Sequence, residues 1–320
     1  MSKTISPLLI GLFTLATVAV AARAGTETEA QKYTLRYRFH PGETLRWEVV
    51  HRSQVDTTVS GITQTAETLS KSVKQWRVRD VKPDGSAVFV HQVESVDMRQ
   101  KLSGCKEVRY NSQTDEKPPI GFQHVAQSVG VPLAVITMDS RGNVIQRERK
   151  QVKAGTNSES QITIPLPDEP VPVGYTWSFP HDIKVKTNLG TIKKVKARQT
   201  FTLKSVKTGV ATIGVATQIL TPIDDPALES QLIERASAGA VRFDIDAGRV
   251  ISQQMDLDKH LVGYPNPASS LHYLTRFTEK LLPARAEGDS PIFAARESGP
   301  SPSSLATSPK TAARPTEKRE

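Results

Sequence analysis

The chain has 320 residues, 37% of them hydrophobic and 23% charged, with 42 Lys and Arg against 33 Asp and Glu for a formal charge of +9. That length is ample for one buried core or two, and a lone cysteine, Cys105, excludes any internal disulfide, so stability has to come from burial. The surplus of positive charge favours contact with anionic surfaces such as wall polymers or lipid headgroups and speaks to attraction and solubility, not to a reaction.

Ser6 to Ala22 is an apolar run behind Lys3, and Ala22-Arg23-Ala24 before Gly25 has the small-x-small form cut by signal peptidase. Residues 1–24 are therefore expected to be a signal peptide; a retained anchor is the rival, against which stands a run shorter than the ~20 apolar residues of a membrane span. Cleavage there removes Lys3 and Arg23 and no carboxylate, leaving +7. No second apolar run follows, and Cys105 lies too far from the cut to carry a lipid. The expected location is periplasmic or extracellular, with no transmembrane segment after cleavage and no nucleic-acid partner.

After a polar leader, 25–32, alternation begins at once: Leu35, Tyr37 and Phe39 against Arg36, Arg38 and His40. Pro41-Gly42 marks a turn, and Leu45, Trp47 and Val49 resume the apolar face, so these segments are expected to pair as a hairpin. Val55 to Ile62 and Val73 to Val81 read as further strands, and Pro83-Asp84-Gly85 leads into Ala87 to Val96, apolar enough to be covered on both sides. Gly121 to Val129 has helical spacing; Val131 to Met138, the turn Asp139 to Asn143 and Val144 to Arg147 follow.

The boundary between two units is placed at 153/154, between a polar Gly- and Ser-containing stretch and a Pro-rich one. Val173-Gly174-Tyr175-Thr176-Trp177 echoes Gly42 to Trp47. Ile183 to Thr187, Thr191 to Ser205 and Val210 to Ile219 are strands, Asp225 to Ser237 has helical spacing, and Ala240 to Ile245 meets Arg249 to Leu257 across Asp246-Ala247-Gly248. Helix, strand, turn, strand thus occurs in each unit, 33–153 and 154–283, through ancient duplication or through chance recurrence of hairpins. The expected fold is mainly β: two related antiparallel meander units forming a curved sheet or barrel-like body, each with one short helix. Residues 284–320, rich in Pro, Ser and Ala, are expected to be a disordered tail.

Leu35-Arg36-Tyr37-Arg38-Phe39-His40-Pro41-Gly42, Val88 to Asp97, Ser270-Leu271-His272-Tyr273 and Arg276-Phe277-Thr278 resemble exported β-rich proteins of planctomycete-type bacteria, a family of unknown function. The resemblance implies an exported or envelope location and carries over no catalytic residue.

No Gly-x-Ser-x-Gly elbow, phosphate loop or His-Glu-x-x-His pair occurs. The seven histidines, His40, His51, His91, His124, His181, His260 and His272, form no close pair at ligand spacing, so no metal and no cofactor is expected. Asp244-Ile245-Asp246-Ala247-Gly248 opens like a calcium loop, but its glycine comes one place early and Met255 stands where the bidentate Glu belongs, which makes it a hairpin turn. Lys184, Lys186, Lys194, Lys196, Arg198 and Lys204 share one strand parity and could gather on one solvent face as an anion-binding surface; protection of an exposed strand is the alternative. Trp47, Trp76, Trp177, Tyr37, Tyr175 and Phe201 could line a cavity, or simply be core. The expected role is a non-enzymatic binding or structural module whose partner is an anionic envelope polymer or a membrane surface. The alternatives are a carrier of a hydrophobic ligand in a curved-sheet cavity and a hydrolase with an unrecognised site.

Overall fold

Alternation of apolar and polar residues between glycine-bearing turns folds this chain as one long antiparallel meander. The computed structural model describes residues 30–150, 161–187 and 190–284. The expected signal peptide, the 153/154 boundary, Asn188-Leu189 and nearly all of the expected tail lie outside them.

The first unit contributes β1 (Lys32–Tyr33), β2 (Thr44–Val59), β3 (Ile62–Val81), β4 (Ala87–Leu102), β5 (Val108–Asn111), helix α1 (Gln123–Ala126), β6 (Pro132–Met138) and β7 (Val144–Arg149). The second contributes β8 (Val171–Pro172), β9 (Thr176–Lys186), β10 (Ile192–Lys207), β11 (Val210–Ile219), α2 (Pro226–Leu232) continued by a 3-10 turn at Ile233–Arg235, β12 (Ala238–Asp244), β13 (Arg249–Val262) and β14 (Ser269–Leu281). Both units join one sheet in the order β7-β6-β4-β3-β2-β14-β13-β12-β11-β10-β9, with β5 beside β4. In the second unit the helix follows three strands of the main sheet, β9 to β11, and in the first it follows β2 to β4 and the short side strand β5; β14 is the added strand that docks the second unit onto β2. β1 and β8 form a separate two-stranded pair.

Of the two forms expected, the curved sheet is the one adopted; no barrel closes, and β7 and β9 remain as edges. Residues 162–166 sit between those edges: the Leu166 N–H donates to Arg141 O in the β6–β7 turn at 2.8 Å, and Trp177 Nε1 of β9 donates to Pro165 O at 2.8 Å. The 162–166 segment thus links the β6–β7 turn to β9.

The expected hairpin of 35–39 with 45–49 does not form. β2 is already flanked by β3 and β14, and the segment instead threads the core. Its neighbouring amides Tyr37 and Arg38 donate to Ser140 O (2.7 Å) and Gly248 O (3.0 Å), so the last hairpin turn of one unit and the corresponding turn of the other clasp it from two sides. Gly142 and Gly248 permit this approach: a Cβ on Gly142 would lie 2.7 Å from Tyr37 Cε2 and Ile164 O, and one on Gly248 2.7 Å from the Arg38 nitrogen.

The ring contacts reveal how far the sheet curls. Phe89 on β4 and Phe243 on β12 are five strand steps apart, ~24 Å in a flat sheet. Yet Phe89 lies 6.0 Å from Phe39, Phe243 lies 5.3 Å from Tyr37, and those two rings are 6.2 Å apart. Register shifts in β3–β4, β4–β6, β6–β7, β10–β11 and β12–β13 supply bends of the kind that bulges introduce. The resulting core joins Leu35, Tyr37, Phe39, Trp47, Trp76, Phe89, Ile136, Phe201, Ile213 and Phe243, each large side chain contributing about 1.5–3 kcal/mol on burial.

This core fills one end of the sheet, where the 82–86, 139–143, 208–209 and 245–248 turns lie. The strands expected at 45–49, 55–62 and 73–81 are parts of just two longer ones, β2 and β3, whose Ser- and Thr-rich far halves continue past the core to a two-residue turn, Ser60-Gly61, at the opposite, open end. There α1 and β5 pack through Phe122 and Tyr110 on Val96, and α2 through Leu228 and Leu232 on Val185 and Val195, all on the face that carries the core. Asp225 caps α2 by accepting from Ala227 N at 2.8 Å, with Pro226 in the first turn.

Candidate binding face

The face opposite the core, the outer face, carries the charge. In β9 and β10 the inner parity is Ile183, Val185, Val195, Ala197, Phe201 and Leu203, and the outer parity is the predicted basic set: Lys184, Lys186, Lys194, Lys196, Arg198 and Lys204 are all exposed. Register places Lys194 opposite Lys184, Lys196 opposite Asp182 and Arg198 opposite Pro180. Lys204 lies across the neighbouring strand, its Cε 2.7 Å from where a Cβ on Gly214 would be. Helix α2 fixes the end of β9, because Gln231 accepts from Lys186 N (2.9 Å) and donates to Lys186 O (2.8 Å). β9 is also a sheet edge, so the same lysines stand where charge protects against edge pairing.

A second basic feature runs across the outer face. Pairing registers align Asp256, Arg276, Arg52, Leu69, Arg99 and Arg109 in one row across β13, β14, β2, β3, β4 and β5. The row crosses a cleft of about 630 Å³ at the open end, whose lining also includes Leu274, Glu67, Lys101 and Asp258. Arg276 Nε donates to Asp256 at 2.6 Å and holds that carboxyl below its usual range, helped by Gln254. Arg109 pairs with Glu107 and lowers it likewise, with Arg99 and Lys101 acting at longer range.

At the rim of this cleft the outer face brings together histidines that are distant in sequence. His260 and His272 are register partners with rings 5.2 Å apart; His272 Nε2 is 2.7 Å from Asp258, and Asp56 accepts from Gln54 (3.0 Å) and Thr65 (2.7 Å). Among the described residues no group of three or more His, Cys, Asp or Glu is arranged to hold a metal ion.

On the core side, Lys74 pairs with the buried Glu279, which also accepts from Gln253 Nε2 at 2.6 Å, while the Lys74 ammonium sits 4.6 Å and 4.9 Å from the ring centroids of Trp47 and Trp76. Trp76 Nε1 donates to His91 Nδ1 at 3.2 Å. Burial, then the charges of Lys74 and Arg147, push the His91 imidazole down to about 4, so it is neutral at pH 7. Of the aromatics singled out in the sequence, Tyr37, Trp47, Trp76 and Phe201 are buried core and Trp177 packs on Phe201 at 5.6 Å, whereas Tyr175 is exposed.

The lysine stripe is legible in the sequence because its members alternate within two adjacent strands. The arginine row is not legible in that way, because its four arginines come from four separate strands and meet only through register. The available signal was weak: Arg52, Arg99 and Arg276 each occupy the polar parity of an alternating strand.

No family model matches the chain, and no curated protein matches it. Among solved structures it is similar to lipovitellin, in a structure describing lipid–protein interactions, with 11% identity, 78% of this chain and 26% of that chain covered, and a TM-score of 0.40. It is also similar to a DUF1329 family protein from Desulfovibrio piger, with 11% identity, 76% and 86% covered, and a TM-score of 0.14. The chain thus spans about a quarter of the lipovitellin chain. Among the described residues no helix is long and apolar enough to cross a membrane.

Proposed function

We propose that this is an exported, non-enzymatic binding module of the cell envelope that engages an anionic polymer through the outer face of β9 and β10. The observation that carries the reading is the exposure of six cationic side chains on one face of two adjacent strands, backed on the other face by packed apolar residues. A sheet holds the backbones of these clustered charges in place before binding, and their attraction for a polyanion is long-ranged and weakened by salt. The resemblance to exported planctomycete-type proteins supports the location.

The test is binding of the protein to immobilised dextran sulfate, with neutral dextran as control and salt as the variable. Retention that falls steeply with salt and drops at least tenfold in Lys186→Glu/Lys194→Glu/Lys196→Glu supports the reading. Binding indifferent to both salt and charge reversal overturns it, and equal retention on vesicles containing anionic phospholipid would move the partner from a polymer to a membrane surface.

A second reading, carriage of a hydrophobic ligand, draws on half-buried apolar residues of the inner face, Val49, Val55, Met255 and Phe277. Native mass spectrometry of the purified protein before and after denaturation distinguishes the two: an extra mass lost on denaturation favours carriage, a bare polypeptide the binding module.

A further inference from the structure

We infer that the outer-face cleft crossed by the arginine row is a binding site for a small amphiphile with a single phosphate or carboxylate head and a short apolar body. The site is separate from the β9–β10 stripe, so the inference does not rest on the polymer reading.

Three of the cleft's four carboxylates already have partners. Asp256 is held by Arg276 and Gln254, Glu107 by Arg109, and Asp258 lies 2.7 Å from His272. Glu67 and Lys101 face each other in the β3–β4 register, on the same face but not within ion-pair distance. Arg52 and Arg99 differ: both are exposed, and among the described residues neither has a carboxylate within 4.0 Å. In a lining whose four cations and four carboxylates balance, these two are therefore the cations with neither an ion-pair partner nor a carboxylate facing them in register.

Their placement suits one anion. Arg52 and Arg99 are both register partners of Leu69, so they flank it from β2 and β4 with their backbones two strand spacings apart, about 10 Å. An extended arginine reaches past half that distance, which lets two guanidinium forks close on one head group above Leu69. Bidentate pairing of that kind is what guanidinium provides and ammonium does not. Below the heads, Leu69 and Leu274 give the cleft an apolar floor, and both are only half-buried. A volume of about 630 Å³ falls within the range of small-molecule sites. Two cations without an ion-pair partner above half-buried leucine side chains leave an apolar body and an anionic head as the complementary shape. The cleft lies on the face without helices, so entry requires no lid to move.

The experiment is isothermal titration of the protein with octyl phosphate, with inorganic phosphate and octyl glucoside as the head-only and body-only controls. Octyl phosphate is expected to bind at least tenfold more tightly than either control. Arg52→Gln/Arg99→Gln is expected to weaken it at least tenfold, Arg52→Lys/Arg99→Lys by an intermediate factor, and Lys194→Glu/Lys196→Glu less than twofold. Because all these side chains are exposed, urea midpoints should stay unchanged and serve as the folding control. Absence of binding at millimolar octyl phosphate, affinity unchanged in the double glutamine variant, or inorganic phosphate binding as tightly as octyl phosphate would each overturn the proposal. Loss of octyl phosphate binding with dextran sulfate retention intact would show the two sites to be independent, as inferred.

Discussion

The two ends of the sheet are built by opposite rules from the same strands. At the packed end, inner-face residues of β3, β4, β6, β10, β11 and β12 converge on Tyr37 and Phe39, and adjacent amides of one threaded segment are held by turns from both units. At the open end the same β2 and β3 carry Ser, Thr and Gln, the helices cover only the flanks, and the outer face hollows into a charged cleft. One end fixes the curvature; the other presents side chains on a backbone whose geometry has been fixed elsewhere. Substitutions at the packed end should therefore be felt in stability, and those at the open end in binding.

The sharpest way to break that contrast is a pair of glycine substitutions. Gly142→Ala places a side chain in left-handed backbone (φ +88°) and drives its Cβ to 2.7 Å from Tyr37 Cε2 and Ile164 O. Backbone strain and overpacking together should cost about 3–5 kcal/mol in urea unfolding. Gly61→Ala, at the open end with φ +80° and nothing within 4 Å of the added carbon, carries the strain alone and should cost about 1 kcal/mol. Equal losses would mean that the clasp around residues 37 and 38 contributes nothing specific.

A pH titration sharpens the same comparison through His91, which faces the core at the packed end. Its folded value, about 4, lies below the ordinary 6.5, so between those values the unfolded chain holds more protons than the folded one. Stability from this group is complete above pH 6.5 and is lost as pH falls toward 4, by roughly 3 kcal/mol. His91→Gln keeps an acceptor for Trp76 Nε1 and should remove that part of the acid sensitivity, read as the difference between the two proteins' unfolding free energies at pH 4.5 and 7. An identical pH dependence in both would mean that the imidazole is not held neutral by burial.

Much of the local structure was legible because it is written in alternation and turn chemistry: β4, β10, β11, β13, both helices and the glycine turns follow from residues within each segment. The parity of Lys184 to Lys204 was legible for the same reason. What was hidden depends on partners distant in sequence. Leu35, Tyr37 and Phe39 alternate as a strand would, yet β14, more than 200 residues later, takes the place beside β2 that a hairpin would have used. The far halves of β2 and β3 were broken into pieces because their Thr and Ser content carries little hydrophobic period. Arg52, Arg99 and Arg276 converge only once the register of three strand pairs is fixed, and register is set by the buried face opposite them.

The two-residue turns offer the finest test of how the ends differ. Ser60-Gly61 at the open end and Thr208-Gly209 at the packed end each have two positive φ angles, 51° and 80° in the first and 49° and 74° in the second, the conformation that matches the twist of a tight hairpin and favours Asn-Gly. A β-branched residue is strained there, so Thr208→Asn should raise stability by about 1 kcal/mol, and Ser60→Asn, relieving a smaller side chain, by about 0.5 kcal/mol. The packed-end turn, however, touches its neighbour: Gly209 O accepts from Ile245 N at 2.9 Å, and a Cβ on Gly209 would lie 3.1 Å from Asp246 Oδ2. If docking of these turns, rather than the strain of the threonine, dominates at that end, the order of the two gains reverses. Urea midpoints at unchanged m-value decide it, because they report stability without a change in the surface exposed on unfolding.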